Sequence, residues 1–469
     1  MHRHRLALLL LTLVACGDDD LTCPAGTHLA DGACVASDGS VPRDMPGGDA
    51  GPCGVCGEGL VCDEDTLACV GCLSDAECTT AEASVCGDTN ECGACATDAD
   101  CDHDGLPAAC VAGVGCFACN EDDTESDDCD GAAPVCDAAS RECRACTEHT
   151  ECAAGLCLDG TCPAEGDILW VDRDDDACDD AGSGTSAVPF CQIQAALDDG
   201  SAELIAVRDS VSPYAPIELS TGGTAFVIGV QPEGPTPRIN QQLADDTAVA
   251  VKCINASTLT LVGVNASGNE DSGAGISATN CNLTLVGVTV SGNGGAGLVA
   301  SAGGNVTVRR SRFSGNTGGG LGLNSVRAVV ENTVIGGAGP EANGGPAASF
   351  GGCRISNPMP GSRFINNTVV NNTAPGAAAD GIICISAVDI INSIVWDNEE
   401  RDLSSMCNAV SSHVDGTAPG FAADGYHLTA ASTCCVDQGT DTDAPADDID
   451  GDERPCGESI DIGADELCP

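Results

Sequence analysis

Short runs of alternating apolar and polar residues, punctuated by glycine and asparagine, dominate the chain between residues 250 and 400. The stretch VGVTVSGNGGAGLVAS at 286–301 has counterparts at 262–279 and 308–325, and LTLVGV starts at both 259 and 283. Such alternation predicts strands of about three to five residues between tight turns. Self-similarity every 23 or 24 residues predicts a β-solenoid, in which each repeat forms one coil.

One asparagine recurs at the same place in successive repeats. Asn269, Asn293 and Asn316 are 24 and 23 residues apart. Equivalent residues of stacked coils lie about 4.8 Å apart, so these amides are expected to bond to one another as a ladder. Asparagine also tolerates the left-handed backbone of a sharp turn. A catalytic site requires one residue of each kind, so we interpret this row as structural.

The repeats resemble the right-handed parallel β-helix of pectate lyases and phage tailspikes. PFCQIQAAL (189–197), GYHLTAASTCCVDQGT (425–440) and DIDGDERPCGESIDIGADE (448–466) are similar to capping segments of exported choice-of-anchor Q domain proteins. The resemblance covers 166–466 and implies an all-β domain attached to the cell envelope. We expect an N-terminal cap at 166–205, a β-helix at 206–405 and a C-terminal cap at 406–469.

The N-terminus has the features of a lipoprotein signal peptide. Arg3 and Arg5 precede a leucine-rich run that is too short for a stable membrane anchor. Leu13-Val14-Ala15-Cys16 looks like a bacterial lipobox, and the alternative is an ordinary signal peptide with a chance cysteine. We expect cleavage after residue 15, a lipid on Cys16 and an acidic tether at 16–52. This predicts attachment to the bacterial envelope, at the outer membrane or cell surface.

The segment 53–165 is a cysteine-rich repeat array. Its cysteines divide into five quartets, which begin at Cys53, Cys72, Cys95, Cys119 and Cys146. Zinc is the alternative to disulfides, because the Cys-x-x-Cys pairs at 69–72 and 92–95 have a zinc-ribbon spacing. Zinc would leave two cysteines of that segment unused, and export favours disulfides. We also expect disulfides between Cys178 and Cys191 and between Cys23 and Cys34.

The charge of the chain excludes one class of partner. With 72 acidic and 17 basic residues, the net charge is -55, which repels nucleic acid. Two acidic clusters resemble calcium-binding loops in composition. They contain Asp172, Asp174 and Asp176 in the first, and Asp448, Asp450 and Asp452 in the second. Neither completes an EF-hand, and we favour a solvated acidic surface over a calcium site.

The coil region offers few catalytic candidates. Arg309, Arg310 and Arg312 form its basic cluster, and Glu331 lies one coil after Arg309, where a stacked ion pair explains both residues. The sequence therefore favours a structural, adhesive or ligand-binding envelope protein over an enzyme, with an extracellular polysaccharide or an envelope protein as its partner. The alternative is a β-helix polysaccharide lyase or glycoside hydrolase. Carboxylates converging beside Arg309 or Arg312 in a groove would favour that enzyme.

Overall fold

The structure is a computed structural model. It describes residues 27–30, 33–36, 56, 60–101, 109–119, 129, 131–137, 139–220, 222–230, 236–240, 249–268 and 273–468. Cys16, Cys23 and Asn269 lie outside these ranges. The chain divides into two compact units, residues 1–128 and 129–469.

Small antiparallel hairpins make up the cysteine-rich array. Their paired strands are Thr27–Ala30 with Ala33–Ala36, Val61–Asp63 with Ala68–Val70, Val85–Cys86 with Cys92–Gly93, Ala109–Val111 with Gly115–Phe117, and Val135–Cys136 with Cys143–Arg144. Short 3-10 turns at Asp75–Glu77, Asp98–Cys101 and His149–Glu151 precede or accompany the hairpins. Each module has too few apolar residues for a core of its own, so covalent bonds take that role.

Disulfides cross the three quartets whose bridges are both described in the same order. In the second quartet Cys72 pairs with Cys86 and Cys78 with Cys92. The third and fourth cysteines face each other across the hairpin, so each binds one of the first two. The same first-to-third and second-to-fourth pairing occurs at 95–110 and 101–116, and at 146–157 and 152–162. The cysteines that a zinc ribbon would have used are therefore half-cystines in the described modules.

Three parallel sheets form the larger unit, and the chain visits them in the order A, B, C. Sheet A contains Ile168–Val171, Leu204–Arg208, Thr224–Val230, Thr258–Val262, Asn282–Val286, Asn305–Arg309, Arg327–Glu331, Arg363–Ile365, Val388–Ile391 and Cys407–Val410. Sheet B contains Arg238–Ile239, Asn265–Ser267, Thr289–Ser291, Arg312–Ser314, Val334–Gly336, Thr368–Val370, Ile394–Trp396 and His413–Val414. Sheet C contains Ile217–Leu219, Val251–Ile254, Ile276–Thr279, Leu298–Ser301, Leu321–Asn324, Cys353–Ser356 and Ile382–Cys384.

The register stacks like residues on one another through successive coils. Leu259 pairs with Leu283 and Leu283 with Val306, and all three point into one continuous core. Alternate positions, such as Thr260 and Thr284, point outward because the side chains of a strand alternate between its two faces. The expected β-helix is therefore confirmed, and its core consists of aliphatic rows.

The first coil is closed by a short helix, Ile193–Asp199, whose Ile193 and Ala196 enter the core. Cys178 and Cys191 form a disulfide that ties the preceding acidic loop to the start of this helix. The fifth cysteine module also packs here, with Leu156 against Trp170 on the outer face of sheet A. This module therefore belongs to the β-helix unit, although its cysteine pattern had assigned it to the array at 53–165.

The last coil extends beyond the expected boundary at residue 405. Cys407–Val410 and His413–Val414 still pair in sheets A and B, although their repeat pattern is too degraded to be recognised in the sequence. Residues 415–468 contain no regular strand, and they fold back along the coils, where Asp447 contacts Arg309 and Asn332. Within the described residues, no helix is both long and apolar enough to cross a bilayer.

Candidate functional site

A single row of side-chain amides runs along the turn between sheets B and C. The Nδ2 of Asn293 donates to Oδ1 of Asn316 at 2.8 Å, and both residues are buried. The row continues through Asn343, Asn372 and Asn398 and ends at the carboxylate of Asp402. Asn293 and Asn316 thus form part of one ladder. Its spacing widens from 23 residues to 27, 29 and 26, which hid the later members from sequence comparison.

A row of glycines makes room for the ladder. A Cβ on Gly275 would lie 2.7 Å from Nδ2 of Asn293, and one on Gly297 would lie 2.9 Å from Nδ2 of Asn316. Gly275 and Gly297 are therefore steric requirements of the amide row. Because these amides are enclosed between coils and bond to one another, the ladder serves the fold and offers no surface to a ligand.

The C-terminal acidic loop is organised around Asp448 rather than around a convergent set of carboxylates. Oδ1 of Asp448 accepts the backbone N–H groups of residues 450, 451 and 452, each at 2.9 Å, and Oδ2 accepts that of Glu466. Asp450 points instead to His427, and Asp452 is exposed. The three aspartates considered as calcium ligands, and interpreted as a solvated surface, therefore differ in their surroundings.

The N-terminal acidic loop is built in a similar way. Asp172 accepts the N–H of Asp174 at 3.0 Å and pairs with Arg208 at 3.4 Å. Asp174 accepts the N–H of Val211 at 2.8 Å, while Asp176 is exposed. These carboxylates terminate turns and satisfy backbone donors, which is a sufficient role for aspartate in a loop.

The basic cluster lies under the C-terminal segment. Arg309 is in register with Glu331 and pairs with it at 3.3 Å, and Glu331 also binds Arg363 at 2.5 Å. Arg309 and Arg310 both reach Asp447 of the returning segment, at 3.4 and 3.5 Å. Carboxylates therefore do converge beside Arg309. They neutralise arginines in an ion-pair network, and the Glu331 side chain is only 7% exposed.

An open groove of about 440 Å³ crosses the outer face of sheet C. Its floor consists of outward residues from three neighbouring strands, including Val299, Asn324 and Arg354. Phe350 forms one wall, and it lies over Gly322, where an added Cβ would be 3.3 Å from the phenyl ring. The volume falls within the range of ligand pockets in proteins, which is about 300 to 1,000 Å³.

The groove combines apolar surface with amides, hydroxyls and one positive charge. Val299 is 40% exposed, and Nδ2 of Asn357 lies 3.4 Å from Oδ1 of Asn324. The guanidinium of Arg354 has no hydrogen bond or ion pair with any described residue. None of the described residues that line the groove is an aspartate or a glutamate. A guanidinium without a carboxylate partner keeps its planar donors free, and these suit an anionic oxygen ligand.

A comparison with protein-family models agrees with this architecture. A family model described as "Right handed beta helix region" matches residues 238–336. The matched coils form a right-handed β-helix. The crystal structure of pectate lyase Pel9A aligns with 64% of this chain and 96% of its own, at 15% identity and a TM-score of 0.32, which supports no inference about activity. No curated protein matches the chain in sequence.

The groove was not predicted from the sequence. Its charged residue, Arg354, and its aromatic wall, Phe350, belong to the coil in which the regular repeat is interrupted by a longer loop. The sequence contains one weak indication of the groove. Arg354 occupies an outward strand position whose equivalents in the two preceding coils are Val299 and Gly322.

Proposed function

We propose that this chain is a lipid-anchored protein of the bacterial envelope whose β-helix binds an extended polysaccharide in the sheet C groove. The observation that carries the proposal is the unpaired Arg354 in an open groove without carboxylates. A linear ligand can follow the groove across strands that are about 4.8 Å apart. Asn324 and Ser356 would meet its hydroxyls, and Val299 and Phe350 would meet the apolar faces of its rings.

Binding is favoured over cleavage by the same lining. Most glycoside hydrolases place two carboxyl groups about 5 to 10 Å apart across the scissile bond. The described lining of this groove supplies none, and Glu331 beside Arg309 is held in ion pairs under the C-terminal segment. A binding and adhesive role therefore fits the chemistry of the groove better than hydrolysis.

The location rests on separate observations. The repeated disulfides of the described modules indicate an oxidising compartment. The lipobox at 13–16 supplies the anchor in this proposal, and the disulfide modules would hold the β-helix away from the membrane surface.

A binding screen with a matched charge control tests this function. Purified protein is presented with neutral and acidic polysaccharides, and the best ligand is then titrated against Arg354→Ala and Arg327→Ala. Both variants remove one arginine, but Arg327 is exposed on sheet A, outside the groove. We expect Arg354→Ala to weaken binding about tenfold, which is the loss expected for a charge-assisted hydrogen bond, and Arg327→Ala to leave it unchanged.

Equal affinities of the two variants would refute the groove as the binding site. Appearance of new reducing ends or unsaturated sugars during the same incubation would replace binding with degradation as the function.

A further inference from the structure

The C-terminal segment brings one histidine and three aspartates together. His427 lies between Asp424, Asp450 and Asp465, which come from three loops that are distant in sequence. Neither the groove nor the ion pairs of Arg309 involve this cluster.

Asp424 fixes the orientation of the imidazole. Its Oδ1 accepts the backbone N–H groups of Tyr426 and His427, both at 3.2 Å, and its Oδ2 lies 2.5 Å from Nδ1 of His427. The Tyr426 ring packs against the imidazole, with ring centroids 4.2 Å apart. A carboxylate bonded to one ring nitrogen of a histidine is the usual support for a metal bound at the other nitrogen.

The second ring nitrogen faces two carboxylates. Nε2 lies 2.7 Å from Oδ2 of Asp450 and 3.9 Å from Oδ1 of Asp465. Ligand atoms of a tetrahedral zinc ion, at 2.0 to 2.2 Å from the metal, lie about 3.3 Å from one another. The two observed distances bracket that value, so shifts of about half an ångström would bring each carboxylate oxygen to the ligand–ligand distance from Nε2.

Asp465 is the independent sign of a ligand. Its side chain is only 8% exposed, and while Oδ2 accepts the N–H of Leu428, Oδ1 has no hydrogen bond and faces Nε2 from 3.9 Å. The side chain is largely buried, so a cation between Oδ1 and Nε2 would give this carboxylate a further stabilising partner. The Asp450 side chain is 48% exposed, which leaves a path for an ion and for a water as fourth ligand.

We propose that Nε2 of His427 and the carboxylates of Asp450 and Asp465 bind a divalent transition-metal ion of the zinc class. Asp424 positions the histidine and does not touch the metal. Binding displaces the Nε2 proton, so one proton is released when His427 is protonated beforehand. The ion links loops at 424–427, 448–452 and 465, and it thereby holds the C-terminal segment closed on the coils beside Arg312, whose guanidinium lies 5.2 Å from the Tyr426 ring.

Cobalt(II) titration of the full-length, chelator-treated protein tests the site. Excess Mg²⁺ is included so that exposed carboxylates are occupied. We expect one Co²⁺ per chain with the intense visible bands of four-coordinate nitrogen and oxygen ligation, competed away by Zn²⁺. His427→Ala should abolish these bands, whereas Asp452→Asn, which removes an exposed charge from the same loop, should retain them.

Asp424→Asn separates metal binding from folding. It leaves the three proposed ligands in place and should weaken Co²⁺ binding about 10- to 100-fold, as loss of a supporting carboxylate does. Protease resistance of residues 416–468 reports whether each variant keeps the segment folded. Several weakly bound ions with six-coordinate spectra, or bands that His427→Ala does not change, would overturn the proposal. A sulfur charge-transfer band in the near ultraviolet would assign the metal to cysteine instead.

Discussion

Replacing Asn316 with alanine should destabilise the β-helix by an amount that the structure allows us to work out. Asn316 is fully buried in the middle of the amide row. Its Oδ1 accepts both the side-chain and backbone N–H groups of Asn293, at 2.8 and 3.3 Å. Its Nδ2 donates to Oδ1 of Asn343 and to the carbonyl of Val290, both at 2.9 Å. Alanine removes all four bonds.

The loss should be about 2 to 4 kcal/mol. Each buried group left without a partner costs roughly 1 to 3 kcal/mol, while the bonds themselves have smaller net values. Oδ1 of Asn343 still accepts the backbone N–H of Asn316, at 3.1 Å. The loss of its side-chain bond therefore leaves this oxygen with one partner and costs less free energy. Since each coil contacts mainly its neighbours, the damage should remain near residues 288–345.

Asn305 provides a matched control. Its backbone and side-chain N–H groups also bond to the Oδ1 of an asparagine one coil away, Asn282, both at 3.1 Å, but this pair is exposed on sheet A. Asn305→Ala should therefore cost less than about 0.5 kcal/mol, because water replaces the lost partner. Urea unfolding with hydrogen exchange compares the two variants. Equal destabilisation would refute the claim that burial of the amide row gives it its strength.

Three further predictions follow from particular residues. Burial raises the pKa of Asp402 to about 6, and contact with Asp415 contributes to the rise. The protonated carboxyl therefore stabilises the last coil fully at pH values below its unfolded pKa of about 3.9. This stabilisation is lost as the pH rises through 6. Asp402→Asn should then raise stability at pH 7 by about 1 to 2 kcal/mol and flatten its dependence between pH 4 and 7, and an unchanged pH profile would contradict this assignment. Gly297→Ala should cost about 1 to 3 kcal/mol in thermal unfolding, because its Cβ would lie within 2.9 Å of Phe313, Asn316 and Gly320, whereas Gly166→Ala meets open space and should be neutral. Cys16→Ser should move the protein from the membrane fraction to the soluble fraction, and retention in the membrane fraction would contradict lipidation.

The regular coils could be predicted from the sequence because their spacing is nearly constant. Leu259, Leu283 and Val306 recur every 23 or 24 residues, so strand, register and inward face all follow from one alignment. Beyond Glu331 the coils lengthen and shorten, since Glu331 pairs with Ile365 and Ile391 with Val410. Loops of different length hide the equivalence, although the strands stack without interruption.

The candidate sites were harder to foresee for a different physical reason. The groove depends on Phe350 folding back over Gly322, a contact between residues of different coils that no local pattern announces. The histidine cluster joins loops that are 23 and 15 residues apart, at Asp450 and Asp465. Its aspartates are indistinguishable in the sequence from the many others, and only the position of His427 between them sets them apart.

The amide ladder allows the loops of this protein to vary in length while the stacking of its coils stays the same. One asparagine per coil fixes the height of each turn, regardless of how many residues the chain spends before it reaches sheet C. Additional residues are therefore tolerated between sheets B and C, and the loop that carries Phe350 is such an addition. Variation in that loop could reshape the groove for a new glycan without loosening the coils behind it, so related proteins should differ in ligand far more than in stability.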